Sequence, residues 1–151
     1  MAITASGLYY LTWDKMTIDT AGQSIEAETH KGLLVVDAYT HNYSTHDFRD
    51  DITNEVPATG GYTTGGNTVT TTVTTLDAPS AGVWKYDFDD PTWAASTISA
   101  AMAHIMYFNV GTAATDQLLF LQDFVTAATT SSGPLVVQVH ADGAINHDFT
   151  P

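Results

Sequence analysis

From Leu33 onward, short apolar or alternating runs recur between turn-rich stretches, the pattern of an antiparallel β-sandwich or barrel. Residues 33–38, Leu-Leu-Val-Val-Asp-Ala, predict a buried strand, and residues 39–46 read as a polar, aromatic loop. In residues 47–56, Phe48, Ile52 and Val56 recur four apart, which puts them on one helical stripe. Thr45 or Asp47 would cap that helix and Pro57 would stop it, while Thr53 and Val56 make a strand the alternative.

The pairs Gly60-Gly61 and Gly65-Gly66 mark a loop or hairpin connection, and residues 68–76 follow as a threonine-rich strand with Val69 and Val73 on one face. In residues 83–88 the aromatics Trp84, Tyr86 and Phe88 alternate with Val83, Lys85 and Asp87, so an extended chain shows one aromatic face. That face serves either core packing or contact with a partner. Asp89, Asp90 and Pro91 break the strand. Residues 97–110, 118–124 and 134–140 supply three more strands, and residues 144–149 a last one after the turn at Asp142-Gly143. The fold class expected is mainly β: a single-domain antiparallel sandwich or barrel of about seven or eight strands with one short helix.

The first thirty residues differ. Leu8, Tyr10 and Thr12 alternate with Tyr9, Leu11 and Trp13 as in a strand, but residues 17–29 are polar and weakly patterned. Residues 1–30 are therefore expected to form an N-terminal arm or an edge strand, and residues 31–151 the β domain.

Composition sharpens this picture. A chain of 151 residues fits one domain that hides roughly 70% of its unfolded surface. Charged residues are only 14% of the chain, and polarity comes largely from threonine, a β-branched residue suited to strands. Four Lys and Arg against seventeen Asp and Glu give a net charge of −13, which repels phosphate backbones and anionic membranes. Lys15, Lys31, Arg49 and Lys85 are too scattered to make a basic patch, so neither nucleic acid nor membrane is expected as a partner. The absence of cysteine excludes disulfides, thiolate metal sites and cysteine nucleophiles. Residues 1–22 lack the basic start and apolar stretch of a secretory signal, and synthesis as a soluble cytosolic chain is expected.

Candidate chemistry is sparse. His41 and His46 lack the helical H-E-x-x-H arrangement of a zinc site, and His104 in an apolar run reads as a hydrogen-bonded core histidine. His140 and His147 flank a turn and could approach each other. Asp87, Asp89 and Asp90, clustered before a proline, are candidate cation ligands, although the calcium-loop pattern around them is missing. Neither G-x-S-x-G nor a phosphate-binding G-x-x-x-x-G-K-[ST] occurs. No catalytic residue, cofactor or enzymatic activity is expected.

Taken in order, His46-Asp-Phe-Arg-Asp-Asp-Ile-Thr-Asn-Glu-Val56, Gly61-Tyr-Thr-Thr-Gly-Gly66, and Phe88-Asp-Asp-Pro-Thr-Trp93 with Ser96-Thr-Ile98 resemble small structural proteins of tailed bacteriophages. Ile105-Met-Tyr-Phe108, Leu118-Leu-Phe-Leu121, Leu135-Val-Val-Gln-Val139 and Asp142-Gly-Ala-Ile145 are compatible with that likeness, which spans residues 33–149. It implies a virion component, a capsid decoration or minor head protein, whose partners are the major capsid protein and copies of itself as a homo-oligomer. A neck or tail position is the alternative within this class. From another class comes a carbohydrate or host-surface binding module. The aromatic candidates for partner contact are Tyr9, Tyr10, Trp13, Trp84 and Trp93.

Overall fold

The computed structural model describes residues 3–18, 24–25, 27–69, 83–140 and 143–148. Among them the protein is mainly β and antiparallel, with nine strands and one α-helix. Its centre is a five-stranded sheet built from β1 (Gly7–Leu8), β2 (His30–Val36), β3 (Asn67–Val69), β6 (Ala101–Phe108) and β7 (Leu118–Ala128), in the order β1-β7-β6-β2-β3. The remaining strands, β4 (Val83–Tyr86), β5 (Thr92–Ser96), β8 (Gly133–Val136) and β9 (Ile145–Asp148), form two-stranded ladders, β4 with β9 and β5 with β8. Among the described residues the large sheet stays open, with β1 and β3 at its edges, so of the two architectures expected, sandwich or barrel, no closed barrel is present.

The continuous apolar sequence of β6 has a simple cause: all its residues are buried, because both faces of the sheet are covered. On one face Leu33 and Val35 of β2 join Ala103, Ile105 and Tyr107 of β6 and Leu121 of β7, beneath Ile3, Tyr9 and Tyr39. On the other face Met106, Phe108 and Phe120 meet Phe88 and Ile145, with Trp13 and Met16 packed alongside. Further along that same face Leu34 lies with Trp93, Val137, Val56 and Tyr62. The two small ladders are therefore the second layer of an incomplete sandwich.

Three expectations change. Residues 9–13 do not continue β1 as a strand; the helix α1 spans Tyr10–Ile18. It places Trp13 and Met16 on the core, with Lys15 Nζ 3.1 Å from Asp47 Oδ2. Ile3 and Tyr9 share a core cluster with Leu33, so the described N-terminal residues pack as part of the domain, with β1 as an edge strand rather than a free arm.

The helix expected over residues 47–56 shrinks to one 3₁₀ turn, Arg49–Asp51. The Asp51 carboxylate accepts the backbone N–H groups of Asp47 and Phe48, and Phe48 and Glu55 form isolated bridges to Gln117 and Val35. Contacts with the sheet thus hold this segment extended on either side of the turn. The run 97–110 begins as a loop, and its strand, β6, starts only at Ala101; the separate strand β5 lies before it, immediately after Pro91. Of the threonine-rich strand only Asn67–Val69 is seen, since residues 70–82 lie outside the described residues.

Candidate functional site

The N-terminal edge combines local order with outward apolar surface. Gly7 and Leu8 pair with Leu121 and Phe120, while the opposite side of β1 has no neighbouring strand among the described residues. The Tyr43 ring lies over Gly7, where a Cβ would come within 2.6 Å of it, and its hydroxyl donates to the Ala5 carbonyl at 2.6 Å. Next to this clamp Tyr9 is buried, while its neighbours Leu8 and Tyr10 are 41% and 59% exposed. The Tyr9 and Tyr39 hydroxyls lie 3.0 Å apart, and the Tyr39 hydroxyl is 2.8 Å from His46 Nδ1. Burial raises the pKa of both phenols, that of Tyr39 to about 12.

The aromatic candidates for partner contact therefore separate. Tyr10 faces out, and Trp13 is half-buried, donating its indole N–H to the Leu119 carbonyl at 3.2 Å. Tyr9 and Trp93 are corrected: both rings are core side chains, at 0% and 1% exposure, and cannot meet a partner without unpacking. The Trp84 side chain lies outside the described residues. In the loop that would present rings to a sugar, Tyr39 is buried and Tyr43 is half-buried against Gly7. Leu8, in register with Phe120, lies on the ladder side of the sheet rather than beside Tyr10.

The candidate cation ligands do not converge. Asp87 accepts the Phe88 N–H at 3.0 Å and Asp90 accepts the Val139 N–H at 2.8 Å, so both carboxylates stabilise local backbone. Among the described residues no group of three or more His, Asp or Glu side chains is arranged to hold a metal ion. His46 is engaged with Tyr39, His140 is exposed, and the His147 side chain lies outside the described residues.

Sheet and ladders meet along a row of rings. His30 lies between Phe88 and Phe108, at centroid distances of 5.3 and 5.1 Å. Phe88 leads to Phe120 at 6.2 Å, Phe120 to His104 at 6.2 Å, and His104 to Trp93 at 6.4 Å. Both histidines are buried, and among the described residues none of their ring nitrogens has a hydrogen-bond partner, contrary to the expectation for His104. Burial alone lowers the pKa of His30 to about 4 and of His104 to about 3, so both rings are neutral near pH 7.

Beside His104, between β1, the central sheet and the segments that carry Phe88 and Ala144, a cavity of about 330 Å³ opens toward the N-terminal edge. Comparison of the chain with protein-family models, curated proteins and solved structures finds no match.

Proposed function

We propose that this chain is a structural subunit of a tailed-bacteriophage particle, a decoration or minor head protein that binds the major capsid protein and further copies of itself. The observation that carries the reading is Tyr10, 59% exposed beside the end of β1 at the edge of the sheet. The Tyr43 loop already covers part of that edge, its carbonyl accepting the Tyr10 N–H at 2.8 Å, so the contact rests on the outward ring as an anchor rather than on open backbone. The order of sequence blocks from His46 to Ile145 supports the same reading through its resemblance to phage structural proteins.

In this role the protein works mechanically. Burial of Tyr10 against the shell would bridge neighbouring capsid subunits and raise the free energy needed to separate them. Symmetric repetition of that contact multiplies a modest local effect over the shell. The net charge of −13 keeps the remaining surface solvated and away from packaged DNA.

Heating of particles with and without the protein tests the proposal. Particles lacking it release DNA at a lower temperature, and addition of the purified chain restores the original threshold. Equal thresholds with and without the protein contradict a cementing role.

A further inference from the structure

An assembly role leaves the cavity beside β1 without a purpose, and because it opens to the outside a ligand can reach it. At about 330 Å³ it reaches the lower range of small-molecule sites, and dry apolar cavities about half as large accept benzene. Phe120 and Met106 line it from the central sheet, and Phe88 and Ala144 from the ladder layer. The Phe88 and Phe120 rings are 6.2 Å apart and tilted by 39°, in contact with each other, so a bound ring would pack against the side of this pair. The Met106 side chain adds a polarizable thioether at the same wall.

The chemistry of the lining selects charge as well as shape. Among the described residues no Lys, Arg, Asp or Glu lines the cavity; of its two histidines, His104 is held neutral by burial and His140 lies exposed at the rim. An ion entering here would lose hydration without meeting a counter-charge, which costs several kcal/mol in order of magnitude. Anions are further opposed by the net charge of −13. Gln122 and Gln138 supply polarity at the wall; the Gln122 amide donates to the Gln138 carbonyl at 3.3 Å, and the Gln138 side chain is exposed.

We propose that this cavity is a binding site for an uncharged aromatic molecule of about indole size, with its ring between Phe88, Met106 and Phe120 and its polar group toward Gln122 and Gln138. The site takes Leu8 of β1 into its wall but not Tyr10, so its occupation does not require the outward surface of Tyr10.

Methionine-methyl NMR of the full chain, titrated with indole, tests this directly. Met106 lines the cavity whereas Met102 packs in the cluster on the opposite sheet face, so one methyl reports and the other serves as control. The expected result is a saturable shift of Met106 with Met102 unmoved, and a melting temperature higher by about 3–5 °C at ten times the dissociation constant. Indole-3-acetate should bind at least about tenfold more weakly, because it carries its charge into an uncompensated site. Two variants, Ala144→Leu and Val139→Trp, narrow the space from different segments, and whichever remains folded should lose the Met106 response. An unmoved Met106 methyl at millimolar indole overturns the proposal, as does a response that survives in a folded, narrowed variant.

Discussion

His104 occupies the space that a side chain on Gly32 would need: a Cβ built on the glycine collides with the imidazole Nε2. The two residues sit on adjacent strands, β2 and β6, and the missing side chain lets a buried ring lie flat against the sheet. Gly32 has no left-handed backbone requirement, so space is its whole reason. Gly32→Ala is therefore expected to destabilise the protein by about 1–3 kcal/mol through overpacking. In Gly32→Ala/His104→Ala the two costs should fail to add, because each change relieves the other. Urea denaturation of the four proteins in this cycle measures the coupling, and strict additivity would mean that the contact is absent.

Acid should weaken the fold through His30 and His104. An unfolded chain protonates each near the ordinary value of 6.5, whereas the folded chain resists until about 4 for His30 and about 3 for His104. The unfolded state thus binds more protons in this window, and stability that is present above pH 6.5 drains as the pH falls toward the folded values. Between pH 7 and 5, where few carboxylates of ordinary pKa titrate, the expected loss is about 2 kcal/mol for each ring. His30→Phe should remove about half of that loss. Ring-proton NMR gives the direct check: neither histidine should titrate above pH 5, and a midpoint near 6.5 for either would contradict its dry, unpartnered placement.

Asp116 holds the turn before β7 together. Its Oδ2 lies 2.9 Å from Arg49 Nε, and its Oδ1 accepts the backbone N–H groups of Val110 and Gly111 at 3.0 and 3.1 Å. The Asp116 side chain is fully buried, while Arg49 extends over the Tyr107 ring at 5.4 Å. Asp116→Ala would strip partners from three donors at once and is expected to cost about 3–5 kcal/mol, measured by denaturant unfolding. Asp116→Asn keeps an acceptor oxygen and should cost less. Arg49→Met, which removes the charge together with its need for a partner, should fall between wild type and Asp116→Ala.

At the outward surface, stability and assembly should separate. Tyr10→Asp changes a side chain that is 59% exposed, so the melting temperature should move by no more than about 2 °C. The same change puts a charge where the proposed contact needs an apolar anchor, and the folded variant should fail to join particles. Circular dichroism melting together with particle binding checks both halves; normal incorporation would remove Tyr10 from the interface.

Much of the sheet was legible because burial on both faces leaves a continuous apolar signature. The runs at Leu33-Leu-Val-Val36, residues 101–108 and Leu118-Leu-Phe-Leu121 all became central strands. The helix α1 was hidden because its polarity runs against its environment: Thr12 is buried while Tyr10 is exposed, and Leu8 to Trp13 alternates like a strand. Residues 47–56 misled in the opposite sense, since helical spacing of Phe48, Ile52 and Val56 was overridden by long-range pairing and by the Asp51 carboxylate. For Tyr9 and Trp93, aromatic character was visible but direction was not, because facing inward or outward is decided by the layer that covers them. The cavity had no local signal at all; it arises where residues as distant as Leu8, Met106 and Ala144 meet.

Quantitative mass spectrometry of purified particles of a phage whose genome encodes this chain tests the central claim most directly. A structural head subunit should be present at a fixed, high copy number relative to the major capsid protein and remain through density-gradient purification. Its absence from those particles, or loss to trace amounts during purification, would contradict the proposed function.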